Sequence, residues 1–417
     1  MSKSLVKRII GGLLATLLAV GLFFGGFFLA KRIYLTKELE SIKFIIDTYR
    51  DYYYQEQDNL PHLFADSLMD EYSRFYTKEE YELTQKASEG YRKAMGISIN
   101  DNLEIVKILY NSPAQKAGMI EGAKITQING TSVSTRAEFN QLVGEQSTFL
   151  VEYKGEQKSF TVRSEEFTET FVKYYDNENE YYFEGEEIEF KQKPTTIGGL
   201  DYKTGYLVYR GFSAINSKSP SDWKEDISTS AGQFAKALSV YSQTGKTKLV
   251  IDLRNNGGGF MTVLSSVVSH FLLEENALIC EARYKGEKVE RFYGLEPLRA
   301  NYTFEKITVL VNEGTASASE AFVGALLDYD SEGVVEVVCE YNSSRGNYSS
   351  YGKGIMQSTV INEVTDEAVK LTVAEIFWPI SKKSIHTKGI SPSVDNRVKP
   401  SIKNGQPIDA LEYFLNG

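Results

Sequence analysis

Between Gly205 and Tyr329 the chain alternates apolar strands with helical stretches. GYLVYRGFS is followed by SAGQFAKALSVYSQ, then KLVIDLR, a helical run after Gly259, ITVLVN, and an apolar helix after TASASE. No other feature narrows the fold as much. Strands this apolar need cover, and intervening helices supply it, so the segment predicts a layered α/β core.

The flanking sequence reads differently. From Ile9 to Ala30 there are 22 residues without a charge, which as a helix would extend roughly 33 Å, enough for the hydrocarbon core of a bilayer. The run is longer than the apolar region of a cleaved signal peptide and has no small-x-small site before Lys31, so a retained anchor is expected over residues 1–34. Residues 35–90 have helical periodicity and end in DEYSRFYTKEEYE. Residues 91–165 change to short β-branched runs separated by Gly and Asn turns, with SPAQKAG as a short helix closed by Gly118. The acidic, tyrosine-rich stretch 169–193 reads as a surface hairpin or solvated loop. The α/β core is assigned to 166–400 and a terminal segment to 401–417. A net charge of −10 with no basic stripe outside the N-terminus excludes a nucleic-acid partner. Cys280 and Cys339 lie in apolar strands and are expected as buried thiols in preference to a bridge. No close Cys or His pair has metal-ligand spacing, so neither a metal nor another cofactor is expected.

Two segments carry chemistry. Ser317 stands where the ITVLVN strand gives way to a helix, beside N–H groups that a helix N-terminus leaves unpaired. That position suits a nucleophile, with the N–H of Ala318 as oxyanion donor. It also suits a helix cap, since Glu320 follows three residues later as in a capping box. LVIDLRNNGGGFM lacks the lysine or the spacing of a phosphate loop, and its Gly257–Gly259 turn lets backbone N–H groups approach a ligand. It is either a second oxyanion donor or a plain turn. A serine nucleophile needs a base. His62, on an N-terminal helix, His270, on an apolar face, and His386, in a turn, each read as structural. That leaves a buried lysine, and Lys353, flanked by glycines in YGKGIMQ, is the candidate.

With these residues in place the chain resembles the C-terminal processing, or tail-specific, proteases over roughly 60–400. The resemblance rests on DEYSRFYTKEEYE, SPAQKAGMIEGAKITQING, GYLVYRGFS, LVIDLRNNGGG, TASASEAF and YGKGIMQ in that order, with IHTKGISP trailing. It implies a serine endopeptidase with a crotonase-like α/β spiral core and an inserted PDZ domain. In that family's pattern Ser317 is the nucleophile, Lys353 the general base, and Gln357 a residue that holds the lysine. Gly258 and Ala318 form the oxyanion hole, and Asp328 occupies a position implicated in activity. Met95, Gly96 and Ile97 stand at the carboxylate-binding loop of the PDZ domain.

Three departures accompany the match. The segment VCEYNSSRGNYSS before YGKG is longer than usual, Gly122-Ala123 replaces a Gly-Asp pair, and Ser393 replaces an Asp. The expectation is a single-pass protein of the bacterial cell membrane with its catalytic domain outside the cytoplasm. Protein or peptide substrates with free C-termini are its expected partners, and a homo-oligomer is allowed. The rival is a catalytically inactive protease-like scaffold that binds C-terminal tails, its base displaced by the long segment.

Overall fold

Residues 37–52, 59–214 and 222–416 are described by the computed structural model. The apolar run Ile9 to Ala30, and with it the expected tail and anchor, lies outside these residues. Among the described residues no helix is long and apolar enough to cross a membrane. Of the described residues, those up to Phe64 form one unit and those from Ala65 onward a second. The N-terminal region contains helices Lys37–Tyr52, Leu60–Leu68 and Lys78–Ser88, as its periodicity predicts.

The predicted core is built on an eight-stranded sheet. Its strands are β1 (Val172–Tyr175), β2 (Asn179–Glu184), β3 (Glu189–Pro194), β4 (Thr204–Tyr209), β5 (Lys248–Asp252), β6 (Lys306–Val311), β7 (Val335–Cys339) and β8 (Val398–Pro400). The order is β3-β2-β1-β4-β5-β6-β7-β8, with β4 to β8 parallel. Helices α1 (Ser230–Gln243), α2 (Met261–Val268) and α3 (Ala318–Tyr329) fill the connections. Strand alternation divides each parallel strand between two cores. Leu249 and Ile251 of β5 pack with Phe234, Leu264 and Phe322 of the three helices. Val250 turns the other way, to Val208, Leu310, Val338 and Ala410.

The stretch expected as a surface hairpin or solvated loop is instead β1 to β3, the antiparallel edge of this sheet. Aromatic and acidic residues alternate there, so Tyr174, Tyr181 and Phe183 enter the core. On the opposite face Glu180 pairs with Lys173 and Lys193 across the strands. Charge content masked a period-two pattern.

A second sheet has five strands. Its central strand, Ala368–Phe377, pairs with Ile355–Ile361, Arg74–Tyr76 and Leu278–Tyr284, and the last of these pairs with Val289–Tyr293. Cys280 and Cys339 are buried free thiols, and burial pushes the Cys280 thiol up to about 12.

Residues 91–165 have a core of their own around Leu103, Ile105, Ile125, Phe149 and Val151. Strands Lys124–Ile128, Thr131–Ser132, Gln146–Tyr153 and Glu156–Arg163 form one small sheet, and Ile97–Ile99 pairs with Ile105–Ile108. Helices Pro113–Lys116 and Arg136–Leu142 complete the module, the first followed by Gly118 at φ +78°. Arg210, just after β4, donates to Glu121 of this module at 2.9 Å and to the Tyr110 hydroxyl at 3.2 Å.

Candidate active site

Strand β6 ends at Val311, and six residues later the backbone reaches Ser317 at φ 59°, ψ −120°. A serine there is strained, because its Cβ crowds the carbonyl on the left-handed side of φ/ψ space. The turn is held by its neighbours. Thr315 Oγ1 donates to Leu253 O at 2.8 Å, Ser319 Oγ to Asn256 O at 2.9 Å, and the Ala316 N–H to Asn256 O at 3.0 Å. The hydroxyls flanking Ser317 thus tie the TASASE turn to the glycine turn after β5.

At Gly258 and Gly259 that glycine turn has no room for a side chain. A Cβ on Gly258, whose φ is +93°, would lie 2.6 Å from Ala316 O and 2.7 Å from Ala318 N. On Gly259 it would meet Phe212 O at 2.0 Å. The Gly258 N–H donates to Asn256 Oδ1 at 3.0 Å, so the donor named from the sequence is engaged within its own turn. The cavity wall carries Gly257 and Gly259 instead, beside Ser317 and Ala318. The N–H groups of Gly259 and Ala318 have no hydrogen-bond partner among the described residues.

Lys353 and Gln357 line the same cavity as Ser317. The hairpin of Tyr341–Asn342 with Asn347–Tyr348 takes up the extra length before YGKG, and Arg345 ties it to Thr387 O at 2.7 Å. Among the described residues no hydrogen bond joins the Ser317 hydroxyl to the Lys353 amine. The amine lies 4.8 Å from the centre of the Tyr72 ring, a cation–π contact. Burial lowers the Lys353 pKa first and Lys370, also on the wall, lowers it second, against Asp70, Glu320 and Glu71. Gln357 Nε2 donates to Thr372 Oγ1 at 3.1 Å.

One residue links the two halves of the site. The fully buried Glu320 carboxylate accepts from Ser317 N–H at 2.9 Å and Lys353 N–H at 2.9 Å through Oε2. Through Oε1 it accepts from Gly352 N–H at 2.8 Å and from the Ser350 hydroxyl. Burial pushes its pKa up to about 7 although four donors favour the charged form. The capping-box spacing drew attention to this glutamate only as a partner of Ser317. Its reach to Lys353 crosses 33 positions of sequence, and no local signal carries that. Tyr72, against the Lys353 ammonium, and Lys370, on the cavity wall, were likewise missed, since only the pairing of the second sheet brings them near.

The remaining candidates lie elsewhere. Asp328 accepts from the N–H groups of Ile380 at 2.8 Å and Ser381 at 2.9 Å, and is not on the cavity wall. No histidine lines the cavity. His270 is buried against Tyr302, whose hydroxyl lies 2.8 Å from Nδ1, and burial pulls its pKa down to about 3. No cluster of metal-binding side chains occurs among the described residues. In the 91–165 module, Met95, Gly96 and Ile97 line a groove with Arg136, Phe139 and Val143. Gly96 has φ +88°, and a Cβ there would lie 2.2 Å from Ser112 Cβ. Strand Ile97–Ile99 pairs along one edge only, which leaves its groove-facing edge unpaired by any described strand.

The parallel sheet thus presents a serine at a strand-to-helix turn, backed by a glycine turn, with a half-buried lysine on the same cavity wall. Residues 203–395 match Peptidase family S41. A protein named "Probable CtpA-like serine protease" from Staphylococcus aureus (strain N315) is 27% identical over 366 residues, 86% of this chain and 64% of its own length. A relative of the same name from Staphylococcus epidermidis is 26% identical over 368 residues, 85% of this chain and 65% of its own length. The chain therefore spans about 64% of the length of the first of these relatives. A solved structure from Bacteroides fragilis NCTC 9343, assigned to the S41 proteases, has a TM-score of 0.52 at 18% identity, covering 83% of this chain and 86% of that one. The two share a fold. The motif-based resemblance to C-terminal processing proteases is borne out by these homologues.

Proposed function

We propose that the protein is a serine endopeptidase that cuts protein substrates near free C-termini, with Ser317 as nucleophile and Lys353 as base. The observation that carries this is the serine at positive φ, at the start of α3 and on one cavity wall with Ala318, Gly259, Lys353 and Gln357. The neutral Lys353 amine takes the Ser317 proton as Oγ attacks the scissile carbonyl carbon. The oxyanion rests on the N–H groups of Ala318 and Gly259, Gly258 being engaged by Asn256. Lys353 then returns the proton to the leaving amine, and water hydrolyses the acyl-enzyme. Desolvation of Lys353 supports this role because it favours the uncharged, proton-accepting form.

Residues 91–165 act in this reading as a PDZ domain. A substrate tail adds a strand along Ile97–Ile99 while its carboxylate meets the backbone at Met95 to Ile97. The Ile9 to Ala30 run would anchor the protein in a bacterial cell membrane with the catalytic part outside. A tail-binding scaffold without activity is the second reading, favoured by the missing Ser317–Lys353 hydrogen bond. Cleavage of an unstructured protein with an apolar C-terminus by wild type, Ser317→Ala and Lys353→Ala separates them. Activity in the wild type alone supports the peptidase, equal residual activity in all three rejects the dyad, and tail binding without turnover selects the scaffold.

A further inference from the structure

The cavity holds a second lysine for which the reaction has no use. Lys370 lies on Ala368–Phe377, opposite Thr359 on one side and Arg74 on the other. Strand alternation puts it on the same sheet face as Thr372, the partner of Gln357. The Thr359–Lys370 pair is thus the next cavity-facing step after Gln357–Thr372, roughly 7 Å further along the strands. Lys370 and Thr359 both line the cavity that holds Ser317 and Lys353.

A half-buried ammonium ordinarily has an anionic partner. The Lys370 ammonium has neither an ion pair nor a hydrogen bond among the described residues. Arg74 opposite adds like charge, and with burial it disfavours the charged lysine. Glu290 is the acidic residue on the cavity wall, and the Tyr284 hydroxyl donates to it. The cleft therefore holds one ammonium without a direct anionic partner beyond the Ser317–Lys353 pair.

We propose that Lys370 is a specificity-determining residue that binds a carboxylate of the substrate within the cleft. The inference rests on the peptidase reading for the identity of the ligand as a peptide, but not on turnover. The carboxylate can come from an acidic side chain or from the chain terminus, and the chemistry of recognition is the same: an ammonium donating to a desolvated anion, which is stronger than a neutral hydrogen bond. A peptide that brings the anion relieves the unpaired charge, and a neutral one leaves it buried.

The test uses the full chain carrying Ser317→Ala, so that binding is read without cleavage, with and without Lys370→Met. Fluorescent peptides are titrated in two arms. One is a Glu-against-Gln scan with amidated C-termini, which denies the 91–165 groove a terminal carboxylate. The other compares free and amidated C-termini on peptides of graded length. In at least one arm the acidic member should bind about tenfold or more tightly than its neutral counterpart, and Lys370→Met should bring that ratio close to 1 while Lys370→Arg preserves it. The responding arm identifies the source. A ratio that is the same with and without Lys370, or no preference for the anion in either arm, overturns the proposal. Failure of the wild type to hydrolyse any of the peptides would count against the peptidase reading alone, because the binding ratios are measured separately.

Discussion

Removing the Glu320 carboxylate should disconnect the nucleophile from the base, and the hydrogen bonds give the size of the effect. Glu320→Ala strips the acceptor from three backbone N–H groups, at Ser317, Gly352 and Lys353. A buried donor without a partner costs about 1–3 kcal/mol, so the loss is about 3–9 kcal/mol, comparable with the whole stability of an ordinary domain. Glu320→Gln is milder. Its amide oxygen can keep the Ser317 and Lys353 donors, while its NH2 faces Gly352 and Ser350, whose hydroxyl can turn to accept. One backbone donor is then lost, about 1–3 kcal/mol. The Gln variant also removes an ionisation. The folded carboxyl titrates at about 7, above the ordinary 4.5, so the folded state holds this proton more tightly than the unfolded chain does. Its stabilising contribution is full below pH 4.5 and is lost as pH rises to 7, by about 3 kcal/mol. Urea unfolding from pH 4.5 to 8 checks this, with peptide hydrolysis alongside. Wild type should lose stability relative to Glu320→Gln over that interval, and Glu320→Ala should be both unstable and inactive. A wild-type-to-Gln gap independent of pH, or an Ala variant within 1 kcal/mol of wild type that retains kcat/KM, would refute the reasoning.

Ser317→Gly should abolish hydrolysis yet raise stability by about 0.5–1 kcal/mol, since glycine tolerates φ 59°; a fall in Tm would contradict the strain. Gly258→Ala should cost about 1–3 kcal/mol and most of kcat, because its Cβ would sit 2.6 Å from Ala316 O; thermal melts and kinetics report both. With the Lys353 pKa lowered, kcat/KM should rise with pH to a plateau whose midpoint lies below the 10.5 of an ordinary lysine, and a midpoint at or above that value would show that burial is not acting. Gly96→Val should weaken binding of C-terminal tails through its clash at Ser112, leaving cleavage of short amidated peptides unchanged; calorimetry and a peptide assay separate the two.

What the sequence revealed depended on whether the constraint was local. Apolar strands such as KLVID and the turns at Gly118 and Gly258 carry their own instructions, so the parallel sheet, the short helices and the serine turn were legible. The β1 to β3 edge was misjudged because Glu and Lys residues on one strand face concealed tyrosines on the other. The surroundings of Lys353 were illegible for a different reason. Tyr72, whose ring meets the ammonium, precedes Lys353 by nearly three hundred residues, and the strands that follow each of them reach the site only by pairing with Ala368–Phe377. Asn256 offered an instance of the same limit: its side chain engages Gly258, and nothing in NNGGG says which asparagine points inward.

The close approach of Gly258 to the backbone on either side of Ser317 has a consequence for how such a site can be silenced. The nucleophile and its glycine backing interlock through main-chain atoms, so neither can shift without the other. The Lys353 main chain is tied to the same turn through Glu320, whereas its ammonium rests on Tyr72. The part of the machinery that can be withheld is therefore the lysine side chain. Withholding the lysine leaves every feature of the serine turn intact, so an idle molecule and a working one would melt alike and diffract alike over most of their length. Only a reagent that senses the acidity of the Ser317 hydroxyl would tell them apart.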